Sequence, residues 1–352
     1  MMKKTIYLHI GSGKTGTTSI QYMLYKNKES LLDNNTLYYT KDFTPEPNHH
    51  YLITTPYSND IWNKDREKYQ ELKEVFEQSS ASKMIISTEN IMGVPKYYLK
   101  EIQQLFGVFE VKIIAYIRNQ IELIPSHYLQ RQKDLFADYK GNIENFFHSY
   151  KMGWGNEHAL VLDNWLPVFG KSNILILVYD RALLEEGDVC LDFAKVLGIS
   201  QYVKQDKTLS NISLIPEVSA LVGVLDSGLP MLSNKASPYF SEIRQQAIMG
   251  PLLRISKGAN RNDIAIINEC LDAIAQVVHK NFPNIKTHTL YKIFTEIERT
   301  RQVLRAKEKI SLIGSELQAE ILEFYKKSNL RFAETFLDER QAKYFLKYYE
   351  QI

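Results

Sequence analysis

Ile6-Tyr-Leu-His-Ile-Gly-Ser-Gly-Lys-Thr-Gly-Thr-Thr-Ser-Ile-Gln21 is the stretch that decides the fold. It starts as a short apolar strand, passes through glycines at 11, 13 and 16, and ends in hydroxyl-bearing residues that open a helical pattern. Strand, glycine-rich loop and helix in that order make an anion site. The N–H groups of the loop and of the helix start converge, and Lys14 adds a mobile positive charge. Thr17 and Thr18 are expected to cap the helix and to donate to a phosphate. The candidate phosphate-binding residues are therefore Ser12, Gly13, Lys14, Thr15, Gly16, Thr17 and Thr18.

Working outward, strand-like runs recur at Thr36 to Tyr39, Met84 to Ser87, Val111 to Ile117 and Asn173 to Tyr179, separated by segments of helical period. Such alternation predicts an α/β fold, a parallel sheet flanked by helices. The near-continuous apolar character of Val111 to Ile117 and Asn173 to Tyr179 marks strands buried on both faces. Ligands in these sheets bind beyond the carboxyl ends of the strands. After about Gln201 amphipathic helix dominates, clearest at Leu214 to Leu225, Asn262 to His279 and Ile313 to Phe336. The expected division is a nucleotide-binding core over 1–215 and a mainly helical extension over 216–352. Leu229 to Asn262, with Pro230, Pro238 and Pro251, reads as an irregular segment open to service as a connection, a lid or a contact in a homo-oligomer.

The glycine spacing discriminates between phosphate ligands. A nucleoside triphosphate loop, G-x-x-x-x-G-K-[ST], would need a glycine where Leu8 stands. The dinucleotide pattern G-x-G-x-x-G fits Gly11, Gly13 and Gly16, but a lysine and threonines crowd the turn and Leu37-Tyr-Tyr-Thr-Lys41 ends in no acid.

His9-Ile-Gly-Ser-Gly-Lys-Thr-Gly-Thr-Thr-Ser19 resembles the 5′-phosphosulfate loop of the sulfotransferase superfamily, in particular of bacterial carbohydrate-type members. A second likeness lies in Val111-Lys-Ile-Ile-Ala-Tyr-Ile-Arg-Asn119 followed by Ser126-His-Tyr128. It is similar to the family's 3′-phosphate site, an arginine ending a strand and a serine eight residues on. A guanidinium fork suits a terminal phosphate. Ile174-Leu-Ile-Leu-Val-Tyr-Asp180 resembles a family strand whose tyrosine lies near the adenine, which carries Tyr179 over. Asn211-Ile-Ser213 resembles a nucleotide-covering loop, which adds Asn211 and Ser213. The likeness spans roughly residues 5 to 215, with a fainter one at Ile321 to Leu337. It implies 3′-phosphoadenosine 5′-phosphosulfate (PAPS) as donor, 3′-phosphoadenosine 5′-phosphate (PAP) as product, and transfer to an acceptor hydroxyl of a glycan or lipid-linked sugar.

Sulfuryl transfer needs a base for the acceptor proton and positive charge where the leaving phosphate oxygen forms. Lys14 and the loop N–H groups supply the charge, and no metal is required by the chemistry. The family places its base after different strands, so Glu89 in Ile85-Ile-Ser-Thr-Glu-Asn90 and His50 in Pro47-Asn-His-His-Tyr51 both qualify, as does Glu46. Each has a plainer reading, a helix-capping acid or a loop histidine.

At 352 residues, 44% hydrophobic and 24% charged, the chain has the composition of a globular protein with a full core. A formal charge of +2 gives no field for nonspecific nucleic-acid binding, so an anion must be held locally. Cys190 and Cys270 lack metal-ligand or disulfide spacing and read as buried free thiols. The apolar start is broken by His9 and Gly11, which argues against a signal peptide, and the longest apolar runs are strand-sized. The expectation is a cytoplasmic protein without a transmembrane segment, compatible with a peripheral place at a membrane. Tyrosine clusters such as Tyr97-Tyr98 and Tyr348-Tyr349, among 22 tyrosines, suit sugar stacking or simple packing. Two rivals remain: a nucleotide-dependent kinase with Asp180 as magnesium ligand, and a non-catalytic nucleotide-binding module.

Overall fold

A computed structural model of the chain describes residues 3–40, 47–53, 61–133, 142–151, 156–204 and 312–351, with 272, 276 and 280 as isolated helical positions. The helix expected at Leu214 to Leu225, that at Asn262 to His279 apart from positions 272 and 276, the segment Leu229 to Asn262, and Cys270, Glu46, Asn211 and Ser213 lie outside these residues.

The protein has an α/β fold. Five parallel strands, β1 (Thr5–His9), β2 (Thr36–Leu37), β3 (Lys83–Ser87), β4 (Glu110–Ile117) and β5 (Ile174–Val178), stand in the order β2-β3-β1-β4-β5. β1 is central, with His9 registered against Ser87 on one side and Ile114 on the other. The chain leaves β1 toward β2 and leaves β4 toward β5, so their connections diverge. A crevice therefore opens beyond the carboxyl ends of β1 and β4.

Both faces of the sheet are buried, and strand pleating separates their side chains. Met84 and Ile86 of β3 and Ile113, Ala115 and Ile117 of β4 join one apolar core; Ile85, Ile114 and Tyr116 join the other. This explains the unbroken apolar runs in the sequence. The first face is covered by α2 (Ile61–Gln78), α3 (Lys96–Leu105) and the segment centred on Trp165, whose indole N–H donates to the Met92 carbonyl at 3.1 Å. The other is covered by α1 (Thr17–Lys26) and α4 (Val189–Val196), through Ile20, Leu24 and Phe193.

β2 is shorter than the expected Thr36 to Tyr39 because its tyrosines leave the ladder for other partners. The Tyr38 hydroxyl donates to the Pro47 carbonyl at 2.6 Å, and the Tyr39 carbonyl meets His49 Nε2 at 2.7 Å. β5 starts one residue late, after a 3₁₀ turn at Lys171–Asn173.

Two compact units emerge, each discontinuous in sequence: Met1–Gln120 with Trp154–Asn211 and Leu322–Ile352, and Ile121–Gly153 with Ile212–Ile321. The first holds the sheet. It also takes in the latter part of the long helix α5 (Ser315–Phe336) and the helix Glu339–Phe345, opened by an Asp338–Gln341 capping box. Polar bonds reinforce the apolar contacts of Phe332 and Phe345: Asn119 Nδ2 donates to the Phe345 carbonyl at 2.8 Å, and Asn329 Nδ2 to Gln120 Oε1 at 2.8 Å. The chain's end thus belongs with the residues that follow β4. In the second unit Tyr128 and His127 pack with Phe146 and Tyr150 at 5.7 and 5.3 Å between ring centroids, and Glu320 pairs with His148 and Lys151 at 3.6 and 3.5 Å.

No helix among the described residues is long and apolar enough to cross a membrane. Cys190 is a partly buried free thiol, its pKa pushed up to about 12 by burial and by the neighbouring Asp188 carboxylate.

Candidate functional site

The loop after β1 is stitched to β4. Ser12 N–H donates to the Tyr116 carbonyl at 2.7 Å, and Tyr116 N–H donates to the Gly11 carbonyl at 2.7 Å. Lys14 is half-buried and sits in the left-handed region at φ 64°, between Gly11 at 103° and Gly16 at 81°. Helix α1 then begins, its cap being Gly16 rather than the expected threonines, without any side-chain bond to the first N–H groups. Thr17 and Thr18 are the first two helical residues. An uncapped helix start with a cation in the preceding turn has the donor set that a phosphate or sulfate group fits. The helix buries Thr17, Ile20, Gln21, Met23 and Leu24 on one side and stops at Asn27, whose N–H and side-chain amide both donate to the Met23 carbonyl.

Gly16 also has no room for a side chain. A Cβ there would lie 2.6 Å from Val189 Cγ1 and 3.7 Å from a ring carbon of Tyr179. Gly16→Ala is expected to cost about 1–3 kcal/mol through strain and overpacking. The check is a pair of melting curves, with Val189→Ala in the Gly16→Ala background recovering part of the loss because it removes the clashing methyls.

On one side of the loop stands Glu89. Its Cβ lies 3.0 Å from where a Gly11 Cβ would be, which is why that position takes glycine. The Glu89 carboxylate accepts from Thr17 Oγ1 at 3.2 Å and from Gln21 Nε2 at 3.1 Å, and faces His50 Nε2 at 3.5 Å. His50 in turn bonds Thr88 Oγ1 through Nδ1 at 2.9 Å. Two of the three candidate bases, from segments 39 residues apart, are thus one hydrogen-bonded pair. Burial works to raise the Glu89 pKa, but the hydrogen bond and charge of His50, with the Gln21 amide, hold it down at about 2. A carboxylate whose folded pKa is depressed stabilises the fold above its ordinary value near 4.5 and loses that contribution as pH falls toward 2. Glu89→Gln is accordingly expected to lower unfolding free energy at pH 7 by on the order of 3 kcal/mol. The deficit should shrink from pH 4.5 downward, as read by denaturant titration at several pH values.

On the other side stand Arg118 and Tyr179, at the ends of β4 and β5. The Arg118 guanidinium lies over the Tyr179 ring at 5.5 Å, and Tyr179 N–H donates to the Ile117 carbonyl at 2.8 Å. Ser126 lies on the helix Gln120–Lys133, in the stretch that belongs to the second unit. Thr15 is buried with its hydroxyl on the Ser12 carbonyl at 2.7 Å, where it shapes the loop from within. Asp180 has both oxygens engaged, by Ala182 N–H at 3.0 Å and Lys347 Nζ at 2.8 Å.

Sequence reasoning missed Glu157 and His158, which start the short helix Glu157–Leu160 and are 4% and 1% exposed. Glu157 meets the Ser12 side chain, and His158 bonds the Arg118 carbonyl and the Gln120 amide at 2.8 Å. Burial lowers the His158 pKa to about 3, against the pull of the Arg118 bond. Two consecutive residues therefore brace the phosphate loop and the strand end that carries Arg118. A polar pair in an amphipathic stretch gives no local sign of burial, and only the topology of the sheet brings it here. Also unforeseen is the buried relay behind the loop, His9 Nδ1 to Ser87 Oγ at 2.8 Å, with burial holding the His9 pKa near 4. Among the described residues there is no cluster of histidine, cysteine, aspartate and glutamate that could hold a metal ion.

No family model matches the chain. A stretch of 139 residues, 40% of the chain, is 28% identical to an uncharacterized protein of Archaeoglobus fulgidus and covers 36% of that relative's length. The match to this relative therefore carries no statement of function.

Proposed function

We propose that the chain is a sulfotransferase that moves a sulfuryl group from PAPS to an acceptor hydroxyl. The observation that carries the reading is the flanking of one loop. Gly11 at its start abuts Glu89 of the Glu89–His50 pair, and Gly16 at its end abuts Tyr179, over which Arg118 lies. A base, a phosphate loop with its lysine, and a strand-end arginine with an aromatic ring thus border one crevice at the carboxyl end of the sheet.

In this reading Lys14 and the first N–H groups of α1 hold the 5′-phosphosulfate, and Arg118 holds the 3′-phosphate with Tyr179 beside the adenine. The acceptor oxygen bonds to sulfur as the bond from sulfur to the bridging phosphate oxygen breaks. Lys14 meets the negative charge that collects on that oxygen. Glu89 borders the loop and takes the acceptor proton, with His50 orienting the carboxylate across the 3.5 Å contact. Analogy with carbohydrate-type enzymes gives a glycan or lipid-linked sugar as acceptor, and a cytoplasmic place at or near a membrane.

A phosphotransferase reading would need Asp180 for magnesium, and both its oxygens are already bonded. The test is acceptor-dependent appearance of PAP from PAPS in the presence of chelator, across a panel of sugar acceptors. Release of ADP from ATP that requires magnesium would replace the proposal with the kinase.

A further inference from the structure

The segment that carries His50 is pinned to β3 by a buried histidine with no part in the proton transfer just described. His49 is fully buried. Its N–H donates to the Ser87 carbonyl at 3.0 Å, its Nδ1 accepts from the Ser87 N–H at 3.2 Å, and its Nε2 meets the Tyr39 carbonyl at 2.7 Å. We infer that His49 is a positioning residue for the base: it sets the register that brings His50 against Thr88 and Glu89. The inference rests on the proposed function in taking that pair as the base.

The sheet explains why a histidine stands there. β2 pairs with β3 at Thr36–Lys83 and Leu37–Met84 and then leaves it, so the last residue of β3 needs a new neighbour on that side. Both backbone groups of Ser87 face the gap, whereas the Thr88 N–H turns the other way, to the His9 carbonyl at 3.0 Å. His49 fills the vacated place with its own main chain and its ring. Because Nδ1 accepts from the Ser87 N–H it bears no proton, so the ring is the neutral Nε2–H tautomer, which donates to the Tyr39 carbonyl. An acceptor and a donor at opposite ends of one flat ring satisfy a buried N–H and a buried carbonyl together. Tyr38 packs edge-on against the ring, 5.0 Å between centroids.

With His49 set against Ser87, the next residues fall into step. The His50 N–H donates to Asn48 Oδ1 at 2.9 Å, which turns the chain, and the His50 ring bonds Thr88 Oγ1 at 2.9 Å and faces Glu89 at 3.5 Å. Both side-chain partners of that ring come from the segment after β3. The ring stays on them only while its backbone does, and His49 holds that backbone.

The experiment follows the Glu89 carboxyl carbon by NMR in the full chain labelled with ¹³C-glutamate, the signal being assigned by its loss in Glu89→Gln. His50 keeps this acid ionised far below its ordinary range, so between pH 7 and pH 4 the wild-type signal is expected to stay in place. In His50→Ala it should move more than about half of the way to the protonated position. His49→Gln reaches Tyr39 with its amide nitrogen but lacks an acceptor at the Nδ1 position, and should show the same movement. His49→Asn puts an oxygen at that position for Ser87 and should restore most of the wild-type behaviour. In turnover, His49→Gln is expected to lower kcat about tenfold with little change in KM, and adding His50→Ala should cost no more. A Glu89 signal that stays in place in a folded His49→Gln, or losses that multiply in the double variant, would make His49 a structural residue only and overturn the inference. If His49→Gln does not fold, the wild-type ring decides. The ¹⁵N signals that vanish in His49→Asn must be those of the Nε2–H tautomer, and the Nδ1–H tautomer there overturns the inference. The expected Glu89 movement without any sulfuryl transfer removes the sulfotransferase reading and leaves His49 in its role. Transfer by the wild type with a fixed Glu89 signal in His49→Gln removes the role of His49 alone.

Discussion

Replacing Lys14 by alanine should lower sulfuryl transfer by about 10²–10³-fold, comparable to losing one preorganised donor aimed at developing negative charge. Lys14 is the cation of the loop, held half-buried in a left-handed turn between two glycines of positive φ. Its loss removes charge without removing the loop, because Ser12 stays stitched to Tyr116 and Thr15 to Ser12. The melting temperature should therefore move little while turnover falls. Lys14→Arg restores charge with a planar fork in place of a point charge, and is expected to recover only part of the rate. Single-turnover transfer with radiolabelled donor, beside a melting curve of each variant, separates these effects. Loss of turnover matched by loss of fold would assign Lys14 to structure.

The second large effect concerns the Glu89–His50 pair. Glu89→Ala is expected to reduce kcat by about 10²–10⁴-fold, the usual contribution of a positioned base. His50→Ala should cost less, about tenfold, because the carboxylate next to the loop remains. That variant has a second signature. His50 is the main influence holding the Glu89 pKa down near 2, so without it the acid limb of the kcat/KM profile should move to higher pH. A larger loss in His50→Ala than in Glu89→Ala would make the histidine the group that meets the acceptor, with Glu89 orienting it.

Much of this was legible in the sequence, for a physical reason. The strand, loop and helix over residues 5–26 are specified locally by apolar alternation, by glycines where φ is positive, and by a helical face of Ile20, Met23 and Leu24. β4 and β5 are equally plain, because strands buried on both faces leave an apolar run. The pairing of His50 with Glu89 was not legible. Each stood as a separate candidate, and only the adjacency of β3 to β1, with His49 N–H on the Ser87 carbonyl at 3.0 Å, draws their segments together. Glu157 was invisible for the converse reason. Charged residues are usually solvated, and what buries this one is packing between elements distant in sequence. The C-terminal helices looked like an extension because their bonds to Asn119 and Gln120 span more than 200 residues.

The account turns on a site that distinguishes a 3′-phosphorylated adenine nucleotide. The most direct test is calorimetry of the purified protein with PAP and with adenosine 5′-diphosphate, without magnesium, repeated on Arg118→Ala. A clear preference for PAP that collapses in Arg118→Ala is the predicted result, whereas equal binding of the two nucleotides, or binding of neither, would contradict it.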